Sequence, residues 1–514
     1  MDRFSRRDAM RWMAAVAPAA LAGRAAAQMA GIEIAKGPFQ PSRESLAQYR
    51  IPEWFRDAKF GIWAHWGPQS APEDGDWYAR NMYIQGSPQN KYHVATYGHP
   101  SKFGFKDVIP TWKAEKFDPE HLMDLYHKAG AKYFVSMGVH HDNFDLWNSK
   151  NTRWNAVNMG PKKDIVGLWR KAAKARGLKF GVSEHLWISY KWFGTSHDSD
   201  KTGPEAGVHY DGVNAKNFDL YHDLAPDYPV KFGWNDEGIP DAWKREWLLR
   251  IKDLTDNYEP DLLYTDGALP FEEYGLNMVA NLYNRSANRN GGASQAVYTS
   301  KRREDCATGT CVLDLERGIV DKIWPTAWQT DTCIGNWHYK RGIHYKTPKT
   351  VIDMLVDIVS RNGNLLLNFP LPSNGALDPR ELNILADITK WMAVNSEGIY
   401  ATRPWKIFGS GPAQQLDAKG SFNERSRKDL TAQDVRFTTK GNTLYAFVMD
   451  WPGREASIPS LAKGGPQGVG AIQNVELLGF RGKLTWSQDE GGLKVQMPDA
   501  KPSDHAVTLK IAGA

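Results

Sequence analysis

Cysteine is scarce in this chain: three residues among 514. That is too few for disulfides to stand in for a hydrophobic core. Cys306 and Cys311 are close enough to pair within one loop, leaving Cys333 alone, but three reduced thiols is the plainer expectation. Neither a CxxC nor an HExxH pattern is present, so no short motif marks a metal site. Beyond the first residues, no apolar run approaches the roughly 20 residues that cross a bilayer. An excess of one charge is missing too: 64 Lys and Arg stand against 59 Asp and Glu. With no basic tract there is no nucleic-acid footprint. Neither nucleic acid nor membrane is expected as a partner, and the oligomeric state is left open.

The amino terminus reads as an address. Residues 1–12 form a charged head carrying Ser5-Arg6-Arg7, and residues 13–22 are an apolar run too short to span a membrane. Ala25-Ala26-Ala27 fits a small-residue cleavage site. The paired arginines resemble a twin-arginine export signal over residues 1–27, with an ordinary secretory leader as the alternative. Either places the mature chain in the periplasm or outside a bacterial cell. The leader's five Arg and two Asp carry +3 of the chain's +5, which leaves about +2 for the remainder.

What is abundant is aromatic, with 21 Trp above all. Such rings build cores and also flat platforms for sugars. The organising stretch is residues 258–270, YEPDLLYTDGALP. Residues 262–265 read as a buried strand, Asp266 follows at its carboxyl end, and Gly267 breaks it. In a β/α barrel that rim is where chemistry sits. A carboxylate there suggests attack on an anomeric carbon. The bland alternative is an Asp that caps the next helix.

Strand–helix alternation extends on both sides. Strands are expected at 59–65, 133–139, 179–183, 262–265, 296–299, 324–330 and 365–368. Helices are expected at 118–129, 164–176, 243–257, 350–360 and 379–395. The aromatic-rich loop 68–116 is long enough to suggest function. This predicts an α/β fold, a (β/α)8-like barrel over residues 40–400, distorted where segment 187–241 intervenes. From 405 to 514, short runs at 443–449, 475–478, 484–487, 493–495 and 506–511 predict a small antiparallel β-sandwich.

Several motifs follow one another in order: Trp54-Phe55-Arg56-Asp57-Ala58-Lys59-Phe60-Gly61, His65-Trp66-Gly67, His140-His141-Asp142-Asn143-Phe144, Tyr264-Thr265-Asp266-Gly267, Gly363-Asn364-Leu365-Leu366-Leu367-Asn368 and Tyr400-Ala401-Thr402-Arg403-Pro404-Trp405. Together they resemble the α-L-fucosidases of glycoside hydrolase family 29. The resemblance implies a barrel with a C-terminal sandwich, and an exo-acting, retaining α-L-fucosidase acting on fucosylated carbohydrate without metal or organic cofactor. It implies that Asp266 is the nucleophile and that His65, His140 and His141 hydrogen-bond the sugar hydroxyls. Trp77 would stand beside the sugar, with Asp76 before it where many members have Glu. Arg317 would be a glycone-side arginine, and Trp328 would line the substrate site.

One departure matters. The family's acid/base Glu follows a Trp on a late strand, and the matching pair here is Trp328-Gln329. An amide cannot exchange the proton of glycosidic cleavage. Glu184, ending the strand before that of Asp266, is therefore the first candidate acid, with Asp331 second and Asp76 third. Alternatives are a related α-L-glycosidase, such as an α-L-galactosidase, or a catalytically impaired fucose-binding protein.

Overall fold

The computed structural model describes residues 31–229, 233–413 and 421–513. The proposed leader lies outside them. Eight parallel strands form the barrel: β1 (Phe60–Ala64), β2 (Tyr133–Val139), β3 (Lys179–Glu184), β4 (Leu262–Thr265), β5 (Val297–Ser300), β6 (Val312–Leu313), β7 (Trp328–Cys333) and β8 (Gly363–Asn368). Their order is β6-β5-β4-β3-β2-β1-β8-β7. Nearly every residue of these strands is buried, because the barrel interior covers one face and the helices cover the other. Hence they read as continuous apolar runs rather than as an alternation. Gly61 is needed in β1 because a Cβ there would collide with the Tyr133 ring.

The two end strands meet just past β6. Asp314 bridges Gln329 in parallel fashion. The Leu315 N–H then donates to the Gln329 carbonyl at 2.9 Å, and the Arg317 N–H donates to the Asp331 carbonyl at 2.8 Å. Residues 314–317 therefore close the barrel. At two residues, β6 is too short to leave a periodic signal, and it is missing from the sequence expectation. The barrel helices start as anticipated: Asp118, Asp164 and Asp378 each cap a helix through the side chain. The expected distortion lies at 187–241, where short helical turns replace a regular crossover. The expected loop 68–116 also carries helices, at Tyr78–Asn81, Pro88–Tyr97 and Phe105–Val108.

The C-terminal unit is two antiparallel sheets. Strands β9 (Arg403–Ser410), β10 (Val435–Lys440), β11 (Thr443–Val448), β13 (Asn474–Leu477) and β16 (Val507–Ala512) make the larger one. Strands β12 (Glu455–Ile458), β14 (Trp486–Asp489) and β15 (Gly492–Gln496) make the smaller. Three of these, β9, β10 and β12, were absent from the sequence expectation. Against the sequence expectation of free thiols, Cys306 and Cys311 form a disulfide. Cys333 is free and buried, and burial pushes its thiol up to about 12.

Barrel and sandwich are joined by charge as well as packing. Asp357, on the barrel helix Pro348–Ser360, contacts Arg361 at 3.3 Å, Arg427 at 3.4 Å and Arg436 of β10. Burial alone would raise its carboxyl, but the three guanidinium groups outweigh burial and hold it well below the usual range. A carboxyl lowered in this way stabilises the fold above the unfolded Asp value of about 3.9, and the contribution is lost as pH falls below it. Asp357→Asn should therefore cost about 3–5 kcal/mol at pH 7, the usual effect of stranding buried charges. The deficit should shrink when urea unfolding is repeated near pH 3. An equal deficit at both pH values would mean packing, not charge, joins the two units.

Candidate active site

The carboxyl ends of the barrel strands surround a cavity of about 500 Å3. Asp266 follows β4 and lines it. Its N–H donates to the Glu184 carbonyl at 3.1 Å, and its own carbonyl accepts the Trp187 indole N–H at 2.6 Å. Gly267, at φ +118°, turns the chain away immediately afterwards. So the backbone at Asp266 is held on both sides. Its Oδ1 accepts from Lys301 Nζ at 2.6 Å. Its Oδ2 lies 3.3 Å from His141 Nε2 and 3.1 Å from His185 Nδ1. Burial pushes this carboxyl up, but Lys301, His185 and the His141 hydrogen bond outweigh burial and hold it well below the ordinary range. It is ionised, as a nucleophile must be.

Lys301, just past β5, also donates to Glu316 Oε2 and lies 3.9 Å from Asp331 Oδ2. Burial pulls an ammonium down. Here Asp266, Glu316, Asp331 and Asp314 outweigh burial and raise it. Glu316 sits in the segment that closes the barrel, between the two backbone bonds to β7, and lines the cavity. Burial pushes Glu316 up to about 7 despite Lys301 beside it. Because Asp266 and Glu316 both touch one nitrogen, their facing oxygens are no more than about 5 Å apart. Retaining glycosidases hold their carboxyls about 5–5.5 Å apart, against roughly 6.5–9.5 Å for inverting ones.

The expected histidines converge. His65 and His140 line the cavity, and His141 stands beside them on Asp266. His140 and His141 can converge because β2 ends at Val139, which frees them from strand alternation. Gln69 donates to His140 Nδ1 at 2.7 Å, which leaves the opposite N–H of the neutral ring for a ligand. Neither ring nitrogen of His65 has a hydrogen-bond partner among the described residues. Burial, then the neighbouring imidazoles, holds His65 and His140 well below the ordinary range, and burial lowers His185 to about 4. These three are neutral at pH 7, suited to hydroxyl groups. The triads His65–His140–His338 and His140–His141–His185 bring ring nitrogens within 4.8 Å of one another, so these residues are also the ones that could hold a transition metal ion.

Trp77 lines the cavity as expected, on a left-handed backbone at φ +58°. Asp76 lines it too, but both its oxygens accept backbone N–H groups, from His338 at 2.7 Å and Trp337 at 3.2 Å. These bonds fix that loop. Asp331 also lines the cavity, where Oδ2 accepts the Tyr264 hydroxyl at 2.9 Å.

Three expectations are corrected. Glu184 is fully buried and outside the cavity lining. Its Oε2 accepts the Leu186 N–H and the Trp247 indole N–H, each at 3.0 Å, so it braces the rim instead of serving as the acid. Burial raises it to about 7, as for Glu316, so access separates the two. Trp328 opens β7 at the opposite end of the strand from the rim, and its indole donates to the Arg361 carbonyl at 3.0 Å. Arg317 stands behind the cavity, 3.3 Å from Glu424 and 5.1 Å from the Trp337 ring it supports. Gln329 is an interior residue, bonded to the Tyr133 hydroxyl at 2.8 Å and to Asp314 at 2.7 Å. Glu316, Lys301, His185, His338, Trp187, Trp234 and Trp337 were not singled out. For His185 and Lys301 the signal existed, since each follows a recognisable strand.

The family model for α-L-fucosidase matches residues 26–397, and that for the α-L-fucosidase C-terminal domain matches residues 427–512. The chain belongs to the α-L-fucosidase family. The tissue α-L-fucosidase of Rattus norvegicus is 28% identical, covering 95% of this chain and 95% of its own. The human plasma α-L-fucosidase is 29% identical, covering 90% and 88%. Among solved structures, the Thermotoga maritima α-fucosidase in complex with a mechanism-based inhibitor superposes with TM-score 0.70 at 23% identity, over 92% of this chain and 100% of that one. The α-L-fucosidase isoenzyme 1 from Paenibacillus thiaminolyticus gives 0.61 at 21%, over 91% and 99%.

In this α-L-fucosidase-family site, Asp266→Asn keeps the side chain's size and removes its nucleophilicity. Turnover of an aryl α-L-fucoside should vanish while fucose binding, read by calorimetry, persists. Turnover near the wild-type rate would place the nucleophile elsewhere.

Proposed function

We propose that the protein hydrolyses terminal α-L-fucosyl residues of oligosaccharides or glycoconjugates with retention, using Asp266 as nucleophile and Glu316 as acid/base. The observation that carries this is the shared Lys301 contact, which holds one ionised and one protonatable carboxyl no more than about 5 Å apart. In the first step an Asp266 oxygen bonds to the anomeric carbon as the bond to the leaving oxygen breaks. Glu316 gives that oxygen its proton. In the second step Glu316 takes a proton from water, whose oxygen displaces Asp266 from the same carbon. Two inversions return the original configuration. Neutral imidazoles of His65 and His140 hold the hydroxyls, and the tryptophan walls meet the apolar face of the sugar.

Glu316 must be protonated in the free enzyme for the first step. With its value near 7, kcat/KM for a natural fucoside should fall as pH rises through about 7. In Glu316→Gln that limb should disappear. Turnover of a fucoside with a sugar leaving group should drop about 10²–10⁴-fold, the usual contribution of acid catalysis. A nitrophenyl fucoside, whose leaving group needs no proton, should suffer far less in its first step. Azide should rescue Glu316→Ala, since an anion attacks without a general base. Equal losses on both substrates without azide rescue would remove Glu316 from proton transfer.

We also propose that the chain is exported through its twin-arginine-type leader, supported by Ser5-Arg6-Arg7 ahead of the short apolar run. Replacing Arg6 and Arg7 together by Lys should leave the protein in the cytoplasm. Unchanged export would make the leader an ordinary secretory one.

A further inference from the structure

Phe422 is the most exposed large hydrophobic residue among those described, at 64%. It belongs to the connection between β9 and β10 of the sandwich, and it falls between the two family-matched segments, 26–397 and 427–512. Yet it lines the catalytic cavity. Its backbone is held at φ +60°, a conformation a bulky side chain rarely takes unless the surroundings impose it. The surroundings do impose it. The Phe422 N–H donates to the carbonyl of Glu316 itself at 2.8 Å, and the Glu424 N–H donates to that of Arg317 at 2.9 Å. Between them, Asn423 Oδ1 accepts the Ile319 N–H at 2.9 Å, while its Nδ2 donates to the Ile319 carbonyl at 3.1 Å. Glu424 anchors the stretch further, accepting from Thr332 at 2.7 Å and Lys346 at 3.1 Å. A rigid clamp thus presents an aromatic face to solvent.

The position of that face has a chemical meaning. A general acid touches the leaving oxygen, so the sugar that departs must sit beside Glu316. Phe422 is hydrogen-bonded to that residue's backbone. The cavity also extends beyond a single sugar. A deoxyhexose fills at most about 330 Å3, even at water's liquid share of roughly 30 Å3 per heavy atom, and the cavity measures about 500 Å3. We propose that Phe422 is a specificity-determining residue: its ring forms a platform on which the leaving-group sugar stacks, so that the protein favours fucosides of carbohydrates over fucosides of small leaving groups.

This rests on the fucosidase reading, and the test separates the two. The substrates are α-L-fucosyl fluoride, whose leaving group has no ring to stack, and an α-L-fucosyl disaccharide. Wild-type failure to hydrolyse either would overturn the fucosidase reading and this inference with it. Given wild-type turnover, Phe422→Ala should lower the ratio of kcat/KM for the disaccharide to kcat/KM for the fluoride about 10-fold. Phe422→Trp should restore that ratio. The released sugar should also inhibit the alanine variant about 10-fold more weakly as a product. An exposed side chain can be truncated without unfolding the barrel, and thermal melting of the variant checks this. An unchanged ratio, whether both rates fall together or neither does, would overturn the inference and leave Phe422 as part of the clamp on Glu316.

Discussion

One ammonium group sets the character of the site. In a largely buried site two carboxyls close together would both tend to take protons, because burial disfavours each charge and proximity disfavours a second. Lys301 breaks that symmetry. Asp266 receives Lys301 together with two imidazole contacts and keeps its charge. Glu316 receives Lys301 without such imidazole contacts, and burial holds it near 7. Separating two neighbouring carboxyls in this way suits one to attack and the other to proton transfer. The ammonium is itself kept charged by the carboxyls it divides, with Asp331 and Asp314 contributing from below.

The barrel makes this possible because each participant ends a different strand. Asp266 follows β4, Lys301 follows β5, and Glu316 follows β6 where the sheet closes on β7. Behind them, Glu184 ties the end of β3 to Leu186 and Trp247, and Asp76 ties the long first loop to Trp337 and His338. These carboxyls accept hydrogen bonds from N–H groups of fixed position, so they hold the loops around the cavity. Glu184 has the same sequence signature as a catalytic acid, an Asp or Glu at a strand end.

That likeness explains what the chain does and does not disclose before its structure is known. Six of the eight barrel strands are legible as runs rich in apolar or β-branched residues, and β4 with Asp266 is legible to the residue; β7, Trp328-Gln329-Thr330-Asp331-Thr332-Cys333, overlaps the expected 324–330 only at 328–330. The histidines are legible through the family resemblance and the abrupt end of β2. Glu316 is not, because β6 is two residues long and the segment after it is strand-like only through its partner, β7. The sequence position of Trp328 is likewise a poor guide to the rim. Strand β7 advances about 3.3 Å per residue, so its first residue lies roughly 16 Å below its last. Arg317 looks glycone-facing in sequence, but at φ +45° it turns behind Trp337. Glu184 is misleading because burial gives it the same proton affinity as Glu316 while denying it access.

The clamp formed by residues 422–424 bears on how such a protein can be inherited. Barrel and sandwich match separate family segments, as parts that recombination might exchange. The carbonyls of Glu316 and Arg317, however, are held by backbone that comes after the barrel's last helix, and Asp357 of the barrel is neutralised by Arg427 and Arg436 from beyond it. A crossover between residues 395 and 422 would hand one parent's acid to the other parent's clamp, and one between 427 and 436 would part Asp357 from Arg436. The functional boundary of the catalytic unit therefore lies past its geometric one, inside the sandwich.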